Sequence, residues 1–142
     1  MPSTYEIIIT LIALAICTVT DIKRKEIYPL VPILLFVAGF FTPNKNYFEN
    51  IFCLVLGLVP IMIVNRYGNG GDGDALMCGA VGFSTPLNFG SMVFLLSSLL
   101  FFIYMLPIVV KEKTIKIEKP FIPFISLSYI IVLIIYLSGG AV

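Results

Sequence analysis

Long apolar runs separated by short polar segments make up most of the chain. The runs cover residues 7–20, 28–41, 50–65, 75–88, 90–110 and 120–138. A helix needs about 20 apolar residues to cross about 30 Å of hydrocarbon, so the pattern predicts an all-α, polytopic membrane bundle of about six helices. The runs 28–41 and 75–88 are short for a full crossing, which leaves four or five spans as alternatives. No linker or repeat divides the chain, and we expect one integral membrane domain over residues 1–142.

The composition agrees with a membrane environment. Hydrophobic residues make up 59% of the chain and charged residues 12%, whereas a soluble domain is typically about 45–50% apolar and about 25% charged. Lipid is therefore expected to cover most of the exterior, and we expect the lipid bilayer to be a partner of this protein. The net charge of +1 leaves no broad basic surface, which excludes a nucleic-acid partner.

Lysine and arginine are concentrated in three of the polar segments. Placing segments 21–27, 66–74 and 111–119 on one side of the membrane gathers eight of the nine basic residues there and leaves only Lys45 on the other side. The positive-inside rule makes the first side cytoplasmic. The pattern therefore predicts a multi-pass protein of the cytoplasmic (inner) membrane with both termini outside.

The residue types exclude several kinds of catalytic site. The chain contains no histidine, which excludes a Ser-His-Asp triad, a Cys-His pair and histidine metal sites. Cys17, Cys53 and Cys78 fall in separate apolar runs without Cys-x-x-Cys spacing, so they are expected to pack as small side chains. We expect no metal ion and no other cofactor, and acid–base chemistry is left to carboxylates, lysine or tyrosine.

Two acidic residues flank apolar runs at the predicted cytoplasmic face. Asp21 follows the first run and Asp74 precedes the fourth. Carboxylates next to hydrocarbon are costly to ionise, so they tend to face the bundle interior and to be functional. Taken singly, each also fits an ordinary helix-end residue. The pair stands out because Asp74 ends the glycine-rich segment 68–74, whose backbone can turn sharply and lie open to a substrate.

The chain resembles a known family at both acidic positions. Residues 71–74 read Gly-Asp-Gly-Asp and fit the GxGD motif of the type IV prepilin peptidases, which include the archaeal preflagellin peptidases and are membrane aspartyl proteases. Residues 21–27 are similar to the family's first catalytic aspartate followed by basic residues, with Tyr28-Pro29 where the family has Pro-Asn. The resemblance implies that Asp21 and Asp74 are catalytic.

The register of the second motif leaves two candidates for the second aspartate. The family usually has lysine two residues after this aspartate, where the chain has Leu76. A shifted register makes Asp72 catalytic and places Asp74 at the lysine position, but it puts Asn69 where glycine is expected. The motif favours Asp74, and Asp72 stays the alternative or an accessory carboxylate.

Four residues of the motif segments are candidates for substrate binding. Gly71 and Gly73 would leave the backbone open to an extended substrate. Asp72 and Glu26 would attract basic residues of the substrate, or they are simply solvated loop acids.

The resemblance also implies a reaction and a substrate. Two carboxyl groups would activate one water molecule, which cuts a prepilin-like membrane protein where its short basic leader meets a hydrophobic helix, at the cytoplasmic face. Long bifunctional members of the family carry a Cys-x-x-Cys segment and also methylate their product. This chain resembles the short forms, such as those of Flp-type pili, so proteolysis without methylation is expected. The oligomeric state is left open.

Two other classes of function stay open. A non-catalytic scaffold or assembly protein of a pilus or secretion system would explain the hydrophobicity but would make the placement of Asp21 and the GxGD segment coincidental. A small transporter or channel would call for acids deep within the spans. The five glutamates instead lie at span ends or in loops.

Overall fold

Six α-helices make up the fold, with no strand among the residues that the structure describes. The structure is a computed structural model, and it describes residues 2–24, 27–41, 46–68, 71–112 and 119–139. The helices are α1 (Thr4–Arg24), α2 (Leu30–Phe40), α3 (Tyr47–Gly68), α4 (Asp72–Ser84), α5 (Leu87–Glu112) and α6 (Ile122–Leu137). Each helix corresponds to one predicted apolar run, which confirms the all-helical prediction.

The helix ends differ from the ends of the apolar runs in ways that matter for the acids. α1 continues beyond Thr20 to Arg24, and basic residues in its last turn are favoured by the helix dipole. α4 begins three residues before its apolar run, with two acids in its first turn. It ends at Ser84 because Thr85 precedes a proline and adopts an extended conformation. Asp21 and Asp74 therefore lie on helices and not in loops.

Contacts at the two ends of the bundle show how the helices alternate in direction. At one end, the backbone N–H of Ile122 at the start of α6 donates to Asp21 near the end of α1, at 3.2 Å. At the opposite end, the side chain of Asn50 near the start of α3 donates to the carbonyl of Phe83 near the end of α4, at 2.8 Å. The end of α1 thus lies with the beginning of α6, and α3 and α4 run in opposite directions.

The short helix α4 lies in the centre of the bundle. α4 contacts every other helix and lies between α2 and α3. Its residues from Ala75 to Ser84 are buried, except Leu76. Small residues allow this enclosure, since a Cβ atom added at Gly82 would lie 2.5 Å from the carbonyl oxygen of Cys53 in α3. α4 is therefore covered by protein along most of its length.

The outer helices carry the features of a membrane protein. α1 and α5 are long and apolar enough to cross a membrane, and α2, α6 and the Tyr47–Ile63 part of α3 are shorter apolar helices. Large hydrophobic side chains are exposed on these helices, among them Ile12, Leu95, Ile103 and Ile134. Lipid can cover such side chains without the cost that water would impose. The number of complete spans stays a prediction.

The three cysteines are buried and free. Cys53 packs closely on Gly90 of α5, where an added Cβ atom would lie 2.5 Å from its sulfur. The thiol therefore fills the space where α3 and α5 come close together.

The contact between α3 and α4 gives a first testable prediction. We expect Gly82→Ala to destabilise the protein by about 1–3 kcal/mol, because the added methyl group meets backbone atoms that cannot move aside. Gly79→Ala is the matched control in the same helix, since its Cβ would meet the side chain of Leu58, with the closest atom at 3.1 Å. Thermal unfolding in detergent should give a lower Tm for Gly82→Ala than for Gly79→Ala, and equal values would contradict this account of the packing.

Candidate active site at the ends of α1, α4 and α6

Asp21 lies in the last turn of α1 and is only 5% exposed. Its Oδ2 atom accepts the backbone N–H of Ile122 at 3.2 Å, and the backbone of Phe121 interacts with the same carboxylate. Ile122 is the first residue of α6, where backbone N–H groups have no partner within the helix. The carboxylate therefore satisfies a donor that α6 itself leaves free.

Asp74 lies in the first turn of α4, just before the apolar run of that helix. Its Oδ1 atom is buried and has no hydrogen-bond partner among the described residues. Burial, and after it the negative charge of Asp21, raises the pKa of Asp74 to about 7. Both effects oppose ionisation, so this carboxyl group keeps a proton close to neutral pH.

The two aspartates are close enough to act on each other electrostatically, although 52 residues separate them in sequence. Cys17 lies one turn before Asp21 and interacts with the charges of both. Neighbouring carboxyl groups that interact strongly titrate as a pair and can hold one proton between them. The structure thus brings together Asp21 and Asp74, which are the two acids that the motifs favour.

The other predicted site residues lie outside this pair. The side chain of Asp72 is exposed, and so is that of Leu76, at 43%. Glu26 is outside the residues that the structure describes. The roles of Asp72 and Glu26 in substrate binding therefore stay predictions.

The two glycines of the GxGD segment have different surroundings. A Cβ atom added at Gly73 would lie 2.9 Å from the Cβ of Ile27, so the segment before α2 packs directly on the start of α4. An added Cβ at Gly71 would meet nothing within 4 Å. The backbone of Gly71 is extended, with φ −78° and ψ 140°, a conformation open to any residue. Gly73 is thus required by packing, whereas position 71 has space for a side chain.

Two features that hold the site together are absent from the sequence predictions. The side chain of Asn65 at the end of α3 donates to the carbonyl of Gly71 at 2.6 Å. The only signal for Asn65 is a polar residue at the last position of an apolar run. The start of α6 reaches Asp21 through backbone atoms, for which the side-chain pattern gives no signal.

Tyr28, which occupies a position where the chain departs from the family pattern, contacts the end of α1. The guanidinium group of Arg24 donates to the hydroxyl of Tyr28. The same group lies 5.8 Å from the centre of the Tyr28 ring, within range of a cation–π interaction. The contact between Arg24 and Tyr28 therefore connects the segment before α2 to α1, the helix that contains Asp21.

The described residues contain no cluster of three potential metal ligands among Cys, Asp and Glu. The polar groups that the site does offer are the two carboxyl groups, since the carbonyl of Gly71 already accepts the side chain of Asn65 and the backbone N–H of Asp74. Such a set can bind and polarise a water molecule by hydrogen bonding and can move protons to and from it.

Comparison with known proteins gives one match. The model of the type IV leader peptidase family matches residues 8–106. The matched region includes both motif segments and extends from α1 into α5, but α6 lies beyond it. No curated protein and no solved structure matches the chain.

The different surroundings of the two glycines give a second prediction. We expect Gly73→Ala to lower the Tm of the purified protein, because the methyl group would collide with the Cβ of Ile27. Gly71→Ala is the matched control and should leave the Tm nearly unchanged, since its Cβ would enter open space. Equal losses of stability in the two variants would show that α4 does not pack on Ile27 in this way.

Proposed function

Since the chain belongs to the type IV leader peptidase family, we propose that it is an aspartyl endopeptidase that removes the short basic leader from prepilin-like precursors. Asp21 and Asp74 are the catalytic pair in this proposal. The reaction is hydrolysis of one peptide bond, without methylation of the new amino terminus.

The observation that carries the proposal is that Asp21, in the last turn of α1, and Asp74, in the first turn of α4, lie near each other at one end of the bundle. The two residues come from separate motifs and separate helices. The hydrogen bond from Ile122 gives Asp21 a structural partner, but Oδ1 of Asp74 has none among the described residues. Two partly buried carboxyl groups that repel each other cost stability. Such an arrangement is typical of acids that share a catalytic proton.

The surroundings of the two candidate acids support Asp74 as the partner of Asp21. Asp74 has a buried carboxylate oxygen and interacts with Asp21. Asp72 is exposed on the same helical turn. Asp72 fits better as an acid that meets the basic leader of the substrate.

The pair would act on one water molecule bound between the carboxyl groups. The ionised carboxylate takes a proton from the water, whose oxygen then bonds to the carbonyl carbon of the scissile peptide. The protonated carboxyl group donates a hydrogen bond to the carbonyl oxygen, on which negative charge develops. Collapse of the tetrahedral intermediate breaks the C–N bond, and the leaving nitrogen accepts the proton taken from water.

The membrane arrangement belongs to the same proposal. Six spans with both termini outside place the aspartates at the cytoplasmic face of the inner membrane, together with most lysines and arginines. A substrate helix can then lie in lipid beside the bundle. Its extended leader would reach the open space beside Gly71, next to the two aspartates.

Substitution of the acids tests the catalytic assignment. We expect Asp21→Asn and Asp74→Asn each to abolish cleavage of a co-expressed prepilin, because neither variant retains the two carboxyl groups that activate water. Asp72→Asn should reduce cleavage far less, through weaker attraction of the leader. Immunoblotting of the precursor and the mature pilin measures the result, and the membrane-fraction level of each variant controls for insertion.

The outcomes of this test separate the alternatives. Full cleavage by both Asp21→Asn and Asp74→Asn would leave a non-catalytic scaffold as the function. Loss of cleavage in Asp72→Asn with normal cleavage in Asp74→Asn would transfer the second catalytic role to Asp72.

The pH dependence of cleavage is a further prediction. The proton on Asp74 is present below its raised pKa of about 7 and is lost as the pH rises through that value. We therefore expect the initial cleavage rate to fall as the pH rises above neutrality, since two ionised carboxylates leave no donor for the carbonyl oxygen. Rates with purified enzyme and substrate in detergent give the profile, and circular dichroism over the same pH range checks that the helices persist. A rate that stays constant well into the alkaline range would contradict the shared proton.

A further inference from the structure

We infer that the first turn of α6 positions Asp21 and keeps it ionised, so that Asp21 is the base of the pair and Asp74 is the acid. The role of Asp21 as a base rests on the proposed function. The hydrogen bonding from which it is drawn does not depend on any reaction.

The first step is the hydrogen bond between α6 and Asp21. The carboxylate accepts the backbone N–H of Ile122 at 3.2 Å and is almost fully buried. Phe121, the residue that caps α6, makes no side-chain hydrogen bond to the helix. The first turn of α6 therefore relies on an acceptor from elsewhere, and Asp21 of α1 supplies it. Burial raises the pKa of Asp21, and the backbone N–H groups of Ile122 and Phe121 oppose this effect. A hydrogen bond to a carboxylate, together with the positive end of a helix dipole, favours its charged form.

The second step is that this donor is held in place. The side chain of Ile122 is fully buried and that of Phe121 is nearly so. One turn along both helices, the hydroxyl groups of Thr18 and Ser126 lie 2.7 Å apart and are hydrogen-bonded. The ring of Phe121 also packs edge-on against Phe101 of α5, at 5.0 Å between ring centres. The N–H of Ile122 thus points at Asp21 because α6 is anchored on both sides.

The third step is the contrast with Asp74. Its buried Oδ1 atom has no hydrogen-bond partner within the described part of the chain. Its own backbone N–H donates to the carbonyl of Gly71 at 3.3 Å and so gives nothing to a carboxylate. A buried oxygen without a donor is more stable in a neutral carboxyl group than in a carboxylate. The shared proton therefore belongs on Asp74.

The other charged groups near Asp21 do not reverse this assignment. The helices that pack against α1 are α2, α4 and α6. Neither α2 nor α6 contains a charged residue, and the Tyr129 of α6 lies near Thr10, in the opposite half of α1. Tyr5 and Glu6 lie in the first turn of α1 and Tyr136 near the end of α6, all far along their helices from Asp21 and Ile122. The remaining titratable groups on these elements or just before α6 are Cys17, Lys23, Arg24, Asp72, Asp74, Cys78 and Lys119. The side chains of Lys23 and Arg24 are exposed to solvent, and any effect of their positive charge favours the ionised form of Asp21.

The assignment fixes the direction of each proton transfer. Asp21 takes the proton from the water molecule as the water oxygen bonds to the carbonyl carbon. Asp74 keeps its proton and donates it in a hydrogen bond to the oxygen that becomes negative. When the C–N bond breaks, the nitrogen receives the proton from Asp21, which returns to the carboxylate form with its bond to Ile122.

Infrared spectroscopy tests the assignment without any need for activity. A protonated carboxyl group has a C=O stretching band that a carboxylate lacks, so difference spectra between the wild type and each aspartate variant at neutral pH show which residue carries the proton. We expect the band to be lost in Asp74→Asn and retained in the control Asp72→Asn. In Asp21→Asn the band should persist with a lower titration midpoint, because burial, the larger cause of the raised pKa of Asp74, remains when the charge of Asp21 is removed. Loss of the band in Asp21→Asn and its retention in Asp74→Asn would overturn the inference. Failure of the wild type to cleave prepilin would instead count against the proposed function, and the infrared result would still assign the proton.

A matched pair of variants at Ile122 tests the role of α6. Ile122→Pro removes the N–H at the first position of the helix, and Ile122→Val keeps the N–H with a smaller loss of side-chain volume. Because Phe121 has an αR conformation that a following proline disfavours, circular dichroism checks that α6 persists in Ile122→Pro. At acidic pH the cleavage rate should fall as the base Asp21 becomes protonated, and we call this part of the pH–rate profile its acidic limb. We expect this limb to move to higher pH by about one to two units in Ile122→Pro, as for the loss of a hydrogen bond to a charged group. Ile122→Val should leave the position of this limb unchanged.

The same titration can be followed by infrared spectroscopy in the Asp74→Asn background, so that an inactive variant still gives a result. There the midpoint for protonation of Asp21 should move upward with Ile122→Pro but not with Ile122→Val. A merely structural role for Ile122 would lower the rate at every pH without moving the limb or the infrared midpoint, and that result would overturn the inference.

Discussion

The close packing of α4 among the other five helices is the constraint from which the rest of the arrangement follows. At Gly82 the helix approaches the backbone of α3 so closely that no side chain fits between them. Because α4 is held at this point and at Gly73, where it meets Ile27, its position along the bundle is fixed. The carboxyl group of Asp74, in the first turn, is then held at one end of the bundle and just beyond the apolar core.

Asp21 reaches the same place by a different route. α1 is an outer helix, and its contact with α4 is slight compared with its packing on α2 and α6. Its last turn is fixed by α6, through the bond from Ile122 and the hydroxyl pair of Thr18 and Ser126. The site therefore depends on two separate packing units, α4 with α3 and α1 with α6. The family match ends in α5, so α6, whose first turn donates a hydrogen bond to Asp21, lies outside the matched region.

The sequence predicts the helices well and the site only in part, for physical reasons. Hydrophobic runs report burial in lipid or protein, so they locate all six helices but not their ends: Asp21 and Asp74 lie just outside the apolar runs and still within helices. The GxGD segment singles out the two aspartates because acids and glycines are rare in apolar sequence. The hydrogen bond from Ile122 could not be predicted, because every residue except proline has a backbone N–H and its direction depends on tertiary packing.

The two aspartates have the same side chain, and their difference lies wholly in the donors around them. In a medium of low polarity, one hydrogen bond to a carboxylate has a larger effect than it would in water. Asp21 has such a bond, whereas one oxygen of Asp74 is buried without one. Mutual repulsion allows only one of two neighbouring carboxyl groups to ionise easily, and the donor decides which one does. A backbone N–H is well suited to this purpose because it cannot lose its proton, so the asymmetry of the pair persists through each turnover.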